Sequence, residues 1–286
     1  MTADLIALDD LYKGLGYGIG NSFTGNTTYC FNTNISTSVS EAWGNMTDYL
    51  DTSSYTITDG GGTDTIDLSG FSTDQQLELK APLTTSTALI PSTVGDGAET
   101  QNLFIAPGTI IENATGGSGN DSLAGNGADN VLKGKAGNDT LKGRLGDDTL
   151  FGGVGNDNID GGLGNDLVVY FGLRSDFRFT WNTRIGNYTA VDLRESHTGA
   201  TDGTDTLVGI ERVRFEESGE EVPITQLVNG GYTTIESKGS VELQKDSAGK
   251  IYAKPSSGSS DDITVSGNHV GVNTYTGWSP VAAETI

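Results

Sequence analysis

The stretch from Gly116 to Val169 reads, in blocks of nine, GGSGNDSLA, GNGADNVLK, GKAGNDTLK, GRLGDDTLF, GGVGNDNID and GGLGNDLVV. Five of the six blocks place an aspartate sixth: Asp121, Asp139, Asp148, Asp157 and Asp166. The second block has Asn130 there, with Asp129 one place earlier. Every block places an aliphatic residue eighth: Leu123, Leu132, Leu141, Leu150, Ile159 and Val168. Constant register at two chemically unlike positions marks an internal structural repeat. A flexible Gly/Ser linker would hold neither position.

The half-block GGxGxD makes a tight turn, because glycine reaches positive φ and close backbone approach at little steric cost. The remaining residues form a short strand whose aliphatic side chain faces a thin core. Two blocks make one coil, so one edge stacks Asp121, Asp139 and Asp157, and the other stacks Asn130, Asp148 and Asp166. Turn carbonyls and aspartate carboxylates are oxygen donors, and calcium takes about six to eight of these in a flexible shell. The candidate ligand residues are the side chains just named and the turn glycines Gly116, Gly119, Gly134, Gly137, Gly143, Gly146, Gly152, Gly155, Gly161 and Gly164. The steps Asp121/Asp139, Asp139/Asp157 and Asp148/Asp166 are expected to hold a cation. The Asn130/Asp148 step lacks one carboxylate and is expected to be weak or empty. One buried aliphatic per nonapeptide offsets too little of the backbone entropy, and stacked carboxylates repel. Folding of the repeat is therefore expected to be coupled to metal binding.

Composition agrees. The 286 residues carry 38 acidic and 16 basic side chains, a net charge of −22. That argues against nucleic acid and anionic membrane as partners. With Cys30 the sole cysteine, no intramolecular disulfide can form. Calcium would replace disulfides as the staple of an extracellular chain. The opening MTADLIALDD lacks the basic and apolar regions of a signal peptide, so export would need an uncleaved signal elsewhere. No apolar run is long enough to span a bilayer, so no membrane insertion is expected.

Before the repeat, residues 2–13 place Leu5, Leu8, Leu11 and Tyr12 on one face of a short helix. The glycine-rich Gly14–Gly20 follows a helix rather than a strand, so it reads as a helix exit and not a phosphate loop. TYCFNTN, YTIT, TIDLSGF, QLELKA and NLFIAP read as strands. Asp59 and Asp64 bracket three glycines and form a second calcium-loop candidate, with a solvated Asp-Gly turn as the equal alternative. Residues 82–100 read as a loop.

After the repeat, residues 167–221 alternate apolar and polar residues, as expected for an antiparallel hairpin capping the roll. Within TDGTDTLVGIE, the GTDT and IE echo Gly62–Thr65 and Ile111-Glu112. The echo suggests a third calcium arrangement from Asp202, Asp205 and Glu211, with a surface turn equally open. Residues 222–286 read as a separate small β unit, with strands in SVELQKD, KIYAKP and DITVSG and a terminus that hints at truncation. The expected fold is all-β: a right-handed parallel β-roll with flanking β caps and one short N-terminal helix. The expected divisions are 1–115, 116–169, 170–221 and 222–286. The two histidines, His197 and His269, are far apart and near no nucleophile signature, so both read as surface residues. Trp181 and Trp278 read as packing residues.

The pieces IALDDLYK, TGNTTYCFNTN, DGGGTDTIDLSGF, GTIIENATGGSGND and NVLKGKAGNDTLKG cover about half the chain and occur in this order. In this they resemble the C-terminal calcium-binding domain, of the RTX repeat type, of serralysin-type secreted zinc metalloproteases. The resemblance implies that Asp59, Gly61 and Asp64 share one calcium with the carbonyls of Phe23, Gly25 and Thr27. It implies a second calcium at Gly62, Asp64, Ile110 and Glu112, with Gly62 and Ile110 acting through carbonyls. It also implies several Ca2+ ions, the type I secretion machinery as a partner and an extracellular location. The zinc motif of those proteases, HExxHxxGxxH, does not occur here. Neither zinc nor peptidase activity is therefore expected of this chain, which begins roughly where the catalytic domain would end. The expectation is a secreted, non-enzymatic calcium-binding module, the partner of a protease domain. The rival is an adhesin or cell-surface matrix protein that uses residues 222–286 as its contact surface.

Overall fold

The computed structural model describes residues 23–36, 46–50, 54–82, 90–97, 101–194, 201–228, 233–238, 241–245, 251–255, 261–266 and 269–271. The expected helix at 2–13, the Gly14–Gly20 turn, His197 and Trp278 lie outside the described residues, as does the side chain of His269. Among the described residues no helix is long and apolar enough to cross a membrane. The chain divides into two units, Met1–Val222 and Pro223–Ile286.

The first unit is a parallel β-roll. Its first sheet runs, in spatial order, Thr28–Cys30, Thr65–Asp67, Asn113–Thr115, Val131–Ala136, Thr149–Val154, Leu167–Tyr170, Arg212–Phe215 and Glu220–Pro223. The second runs Phe177–Asn182, Asn187–Asp192, Thr204–Val208, Asn158–Leu163, Thr140–Leu145, Ser122–Ala124 and Gln76–Glu78. Within the repeat, successive blocks enter alternate sheets, so parallel neighbours lie two blocks apart, as in Leu132↔Leu150 and Leu141↔Ile159. A separate parallel pair, Tyr55–Ile57 with Leu103–Ile105, stands beside the roll strands in the chain order.

All six eighth-position aliphatics are fully buried. They form two columns that continue past the repeat at both ends. In the first sheet the column is Tyr29, Ile66, Ala114, Leu132, Leu150, Val168 and Val213. In the second it is Leu77, Leu123, Leu141, Ile159 and Leu207. Parallel stacking thus extends from Thr28 to Phe215, beyond residues 116–169. Strands without the nonapeptide signature join because each offers one apolar side chain at the right height.

The expected hairpin exists, but only over Phe177–Asn182 and Asn187–Asp192. It does not sit on the last repeat. Thr204–Val208 stacks on Asn158–Asp160 and Arg212–Phe215 stacks on Leu167–Tyr170, because Leu207 and Val213 continue the core columns. The hairpin then pairs antiparallel with Thr204–Val208. Phe177 and Phe179 pack against Tyr170 and Phe215, with ring centroids 4.8–6.2 Å apart. Trp181, expected to pack, is 44% exposed and touches only Tyr188 among the rings described. The expected loop at 82–100 contributes Ser92 and Thr93 to isolated antiparallel bridges with Leu103 and Gln76.

The second unit contains a short helix, Ile224–Val228, and an antiparallel sheet in the order Thr233–Lys238, Val241–Lys245, Ile251–Pro255, Asp261–Ser266 and His269–Gly271. Successive strands pair with one another.

Candidate metal sites

Each sixth-position carboxylate sits at a coil corner and uses its two oxygens differently. One oxygen accepts a backbone N–H from the coil before it. On one edge, Oδ1 of Asp121, Asp139, Asp157 and Asp205 accepts the N–H of Gln75, Asp121, Asp139 and Asp157, at 2.7–2.8 Å. On the other, Asp148 and Asp166 accept the N–H of Asn130 and Asp148 at 2.7 and 2.9 Å. Glutamates serve the same purpose at both ends of that edge: Glu112 accepts Asp64 N–H and Glu211 accepts Asp166 N–H.

The second oxygen is the informative one. Oδ2 of Asp64, Asp139, Asp148, Asp157 and Asp166 is buried and receives no hydrogen bond. A buried charged oxygen without a donor is costly, so each such atom requires an explanation. These atoms lie beside backbone oxygens of the neighbouring coil. A Cβ built on Gly134, Gly143 or Gly161 would meet both the block's own aspartate Oδ2 and a carbonyl of the next coil, those of Gly152, Gly161 and Gly209 respectively. Glycine leaves open the space that the two oxygen types share. Burial, the largest cause, and neighbouring carboxylates push Asp139 and Asp148 up to about 7 and Asp64 and Asp157 to about 6. A cation in that space would hold them ionised.

Among the described residues, no three His, Cys, Asp or Glu side chains converge on one point. The donor set is instead one or two carboxylates completed by carbonyls, which suits a hard, oxygen-seeking cation such as calcium rather than zinc. The turn glycines keep the coils close. Gly137 and Gly155 have φ of 117° and 139°, and a Cβ on either would overlap the carbonyl of Gly119 or Gly137 one coil earlier.

In the segment before the repeat, Asp64 Oδ1 accepts Thr27 N–H at 2.7 Å, and Asp59 Oδ1 accepts Gly61 N–H at 2.9 Å. Gly62 packs against the Gly25 carbonyl, 2.7 Å from a built Cβ. The structure therefore brings Asp59, Gly61, Gly62, Asp64, Gly25, Thr27 and Glu112 together. Ile110 lies in the same connection with its side chain 55% exposed.

Three groupings differ from expectation. Asp205 and Glu211 lie on opposite edges, one contacting Asp157 and the other Asp166, so the trio Asp202, Asp205 and Glu211 does not form one site. Their strands join different sheets, which separates them. Asp202 instead pairs with Arg194 at 3.3 Å. Second, both oxygens of Asp121 are taken, by Gln75 N–H and by Gly117 N–H at 2.6 Å. Third, two tyrosines unremarked in the sequence supply donors: Tyr29 to Asp59 Oδ2 at 2.7 Å and Tyr170 to Asp205 Oδ2 at 2.8 Å. The only sequence signal for them is an aromatic residue in a strand flanking the repeat.

Two parallel sheets, joined by glycine corners where carboxylates and carbonyls line up coil upon coil, define a parallel β-roll of the repeat type. Residues 20–202 match the family described as Peptidase M10 serralysin C terminal, and the chain belongs to that family. It is 41% identical over 123 residues to metallopeptidase AprA of Pseudomonas marginalis, 43% of this chain and 22% of that protein. It is 37% identical over 124 residues to serralysin G of Dickeya chrysanthemi, again 43% of this chain and 22% of the relative. With serralysin of Photorhabdus luminescens the identity is 38% over 111 residues, 38% of this chain and 20% of the relative. The match spans about a fifth of these relatives' length.

Proposed function

We propose that this chain is a calcium-binding module, the non-catalytic part of a serralysin-type system, which folds when it meets extracellular calcium. The supporting observation is the run of buried, donorless Oδ2 atoms at Asp139, Asp148, Asp157 and Asp166, each recurring at a coil corner. Asp64 presents the same feature ahead of the repeat. Calcium held between Oδ2 and the facing carbonyls neutralises the carboxylates and ties adjacent coils. Its binding free energy then becomes folding free energy.

The likeness to secreted relatives supports an extracellular site of action and passage through a type I exporter. In that setting a chain unfolded at low calcium and folded at millimolar calcium gains direction from the concentration difference. The serralysin zinc motif HExxHxxGxxH does not occur in this sequence, so the module contributes stability and export rather than peptide hydrolysis. The test is a calcium titration of the purified chain followed by far-UV circular dichroism, with chelator reversal. A reversible rise in β signal is expected; unchanged β content in chelator overturns the reading.

A further inference from the structure

The repeat stacks on the segment before it at one joint. There Ser122–Ala124 lies on Gln76–Glu78, and Val131–Ala136 lies on Asn113–Thr115. Gln75, Glu112, Asp121 and Asn130 hold the corners that meet, and none of them has a buried side-chain oxygen without a donor. On one edge Gln75 stands where the repeat has aspartate. It is 2% exposed, and its amide is occupied by Gly95 N–H at 2.7 Å and by the Thr73 carbonyl at 2.8 Å. Across the joint, Asp121 Oδ1 accepts Gln75 N–H, and Ser118 N–H reaches the Phe71 carbonyl at 3.1 Å.

On the other edge Glu112 points its carboxylate back to Asp64 N–H. Across the joint it offers its carbonyl. Elsewhere on this edge a sixth-position oxygen reaches back and accepts an N–H, as Asp148 does from Asn130. Asn130 reaches back with a donor instead: Nδ2 donates to the Glu112 carbonyl at 2.9 Å. Asn126 does the same beside it, with Nδ2 donating to the Ile111 carbonyl at 2.7 Å. An aspartate at 130, or the glycine that the first, fifth and sixth blocks carry at the position of Asn126, has no donor for these carbonyls.

We infer that this joint takes no cation and that the Asn126 and Asn130 amides close it, so that the repeat docks on the preceding segment through protein groups alone. The inference rests on the calcium reading of the corners to either side, at Asp64 before the joint and at Asp139 and Asp148 after it. An amide donor holds its carbonyl in a fixed geometry, with no dependence on ion concentration. Buried polar pairs of this kind can also fix register among rungs that are otherwise interchangeable.

The experiment has two arms. Crystals of the unsubstituted chain grown in saturating calcium locate the ions by anomalous scattering. Ions at the corners of Asp139 and Asp148 and none on the Phe71, Ile111 or Glu112 carbonyl are expected. An ion within about 2.3–2.6 Å of any of these three carbonyls overturns the inference. The second arm is Asn126→Ala, melted in saturating calcium and counted for bound calcium by equilibrium dialysis. Its Tm is expected to fall by roughly 2–8 °C with the ion count unchanged. An unchanged Tm, or the loss of an ion, overturns the inference. If the variant fails to fold, the crystal arm decides alone. An unsubstituted chain that binds no calcium defeats the proposed function instead, and the Tm of Asn126→Ala then still decides whether the amide closes the joint.

Discussion

The interior corners of the roll and its two ends face the same difficulty, a carboxylate removed from water, and meet it by opposite means. Inside, Asp139, Asp148, Asp157 and Asp166 each keep one oxygen without a donor. At the ends, Tyr29 closes on Asp59 and Tyr170 on Asp205, and the remaining oxygen of each aspartate accepts a backbone N–H. An interior corner can borrow a cation because it has a coil on either side to supply carbonyls. An end has a coil on one side only, so a side-chain hydroxyl completes it. If the roll binds calcium as proposed, the difference means that the need for metal is set position by position and not by the repeat as a whole.

Calcium removal should produce the largest break in this comparison. In chelator the interior coils are expected to lose their β signal cooperatively, with the amides of 131–170 exchanging rapidly with solvent. Protection persisting across those amides would show that the donorless oxygens are tolerated without metal. Next, Asp148→Asn keeps an acceptor for Asn130 N–H but removes charge from a donorless position. The loss of a charged ligand costs about 1.5–3 kcal/mol, so calcium affinity should fall by roughly tenfold or more, readable by isothermal titration. At an end, Tyr170→Phe removes the donor to Asp205 and leaves a buried oxygen unpaired, at about 1–3 kcal/mol. Its Tm should drop even in saturating calcium, whereas the ion count should not change.

Acidity separates the two metal states. Asp139 and Asp148 stand at about 7 in the fold, above the ordinary 3.8. The metal-free fold thus binds their protons more tightly than the unfolded chain does. Their contribution to stability is full below about pH 4 and is lost as pH rises through 7. Lowering pH from 8 to 5 in metal-free buffer should therefore increase β signal, while in limiting calcium the same change should displace ions and reduce it. A metal-free chain that loses structure on acidification would contradict the assignment of these two groups. The smallest effect is expected at Lys135, which holds a φ of 82° at the second block position. Lys135→Gly relieves about 1 kcal/mol of backbone strain and should raise Tm slightly in saturating calcium.

Much of the roll was legible in the sequence, because two of every nine positions carry unlike chemistry in fixed register. Leu123 through Val168 are buried where the pattern places them. What lay hidden depends on contacts across long insertions. Thr65–Asp67 and Asn113–Thr115 are stacked neighbours separated by a long excursion, and no local period links them. The echo of GTDT gave Asp202, Asp205 and Glu211 as one group, but sequence similarity does not tell which sheet a strand joins. Asn126 carries a readable signal: it departs from glycine in the same block in which Asn130 departs from aspartate.

The antiparallel hairpin at Phe177–Asn182 and Asn187–Asp192 has a consequence beyond closing the core. A stack whose rungs are interchangeable has no intrinsic length, and a second molecule's first rung would fit on its last. The hairpin covers the edge of Thr204–Val208 with two strands that carry no GGxGxD corner, so an incoming rung finds no matching turn to stack on there. It thereby acts as a terminator that keeps a one-dimensional lattice from growing into a fibre.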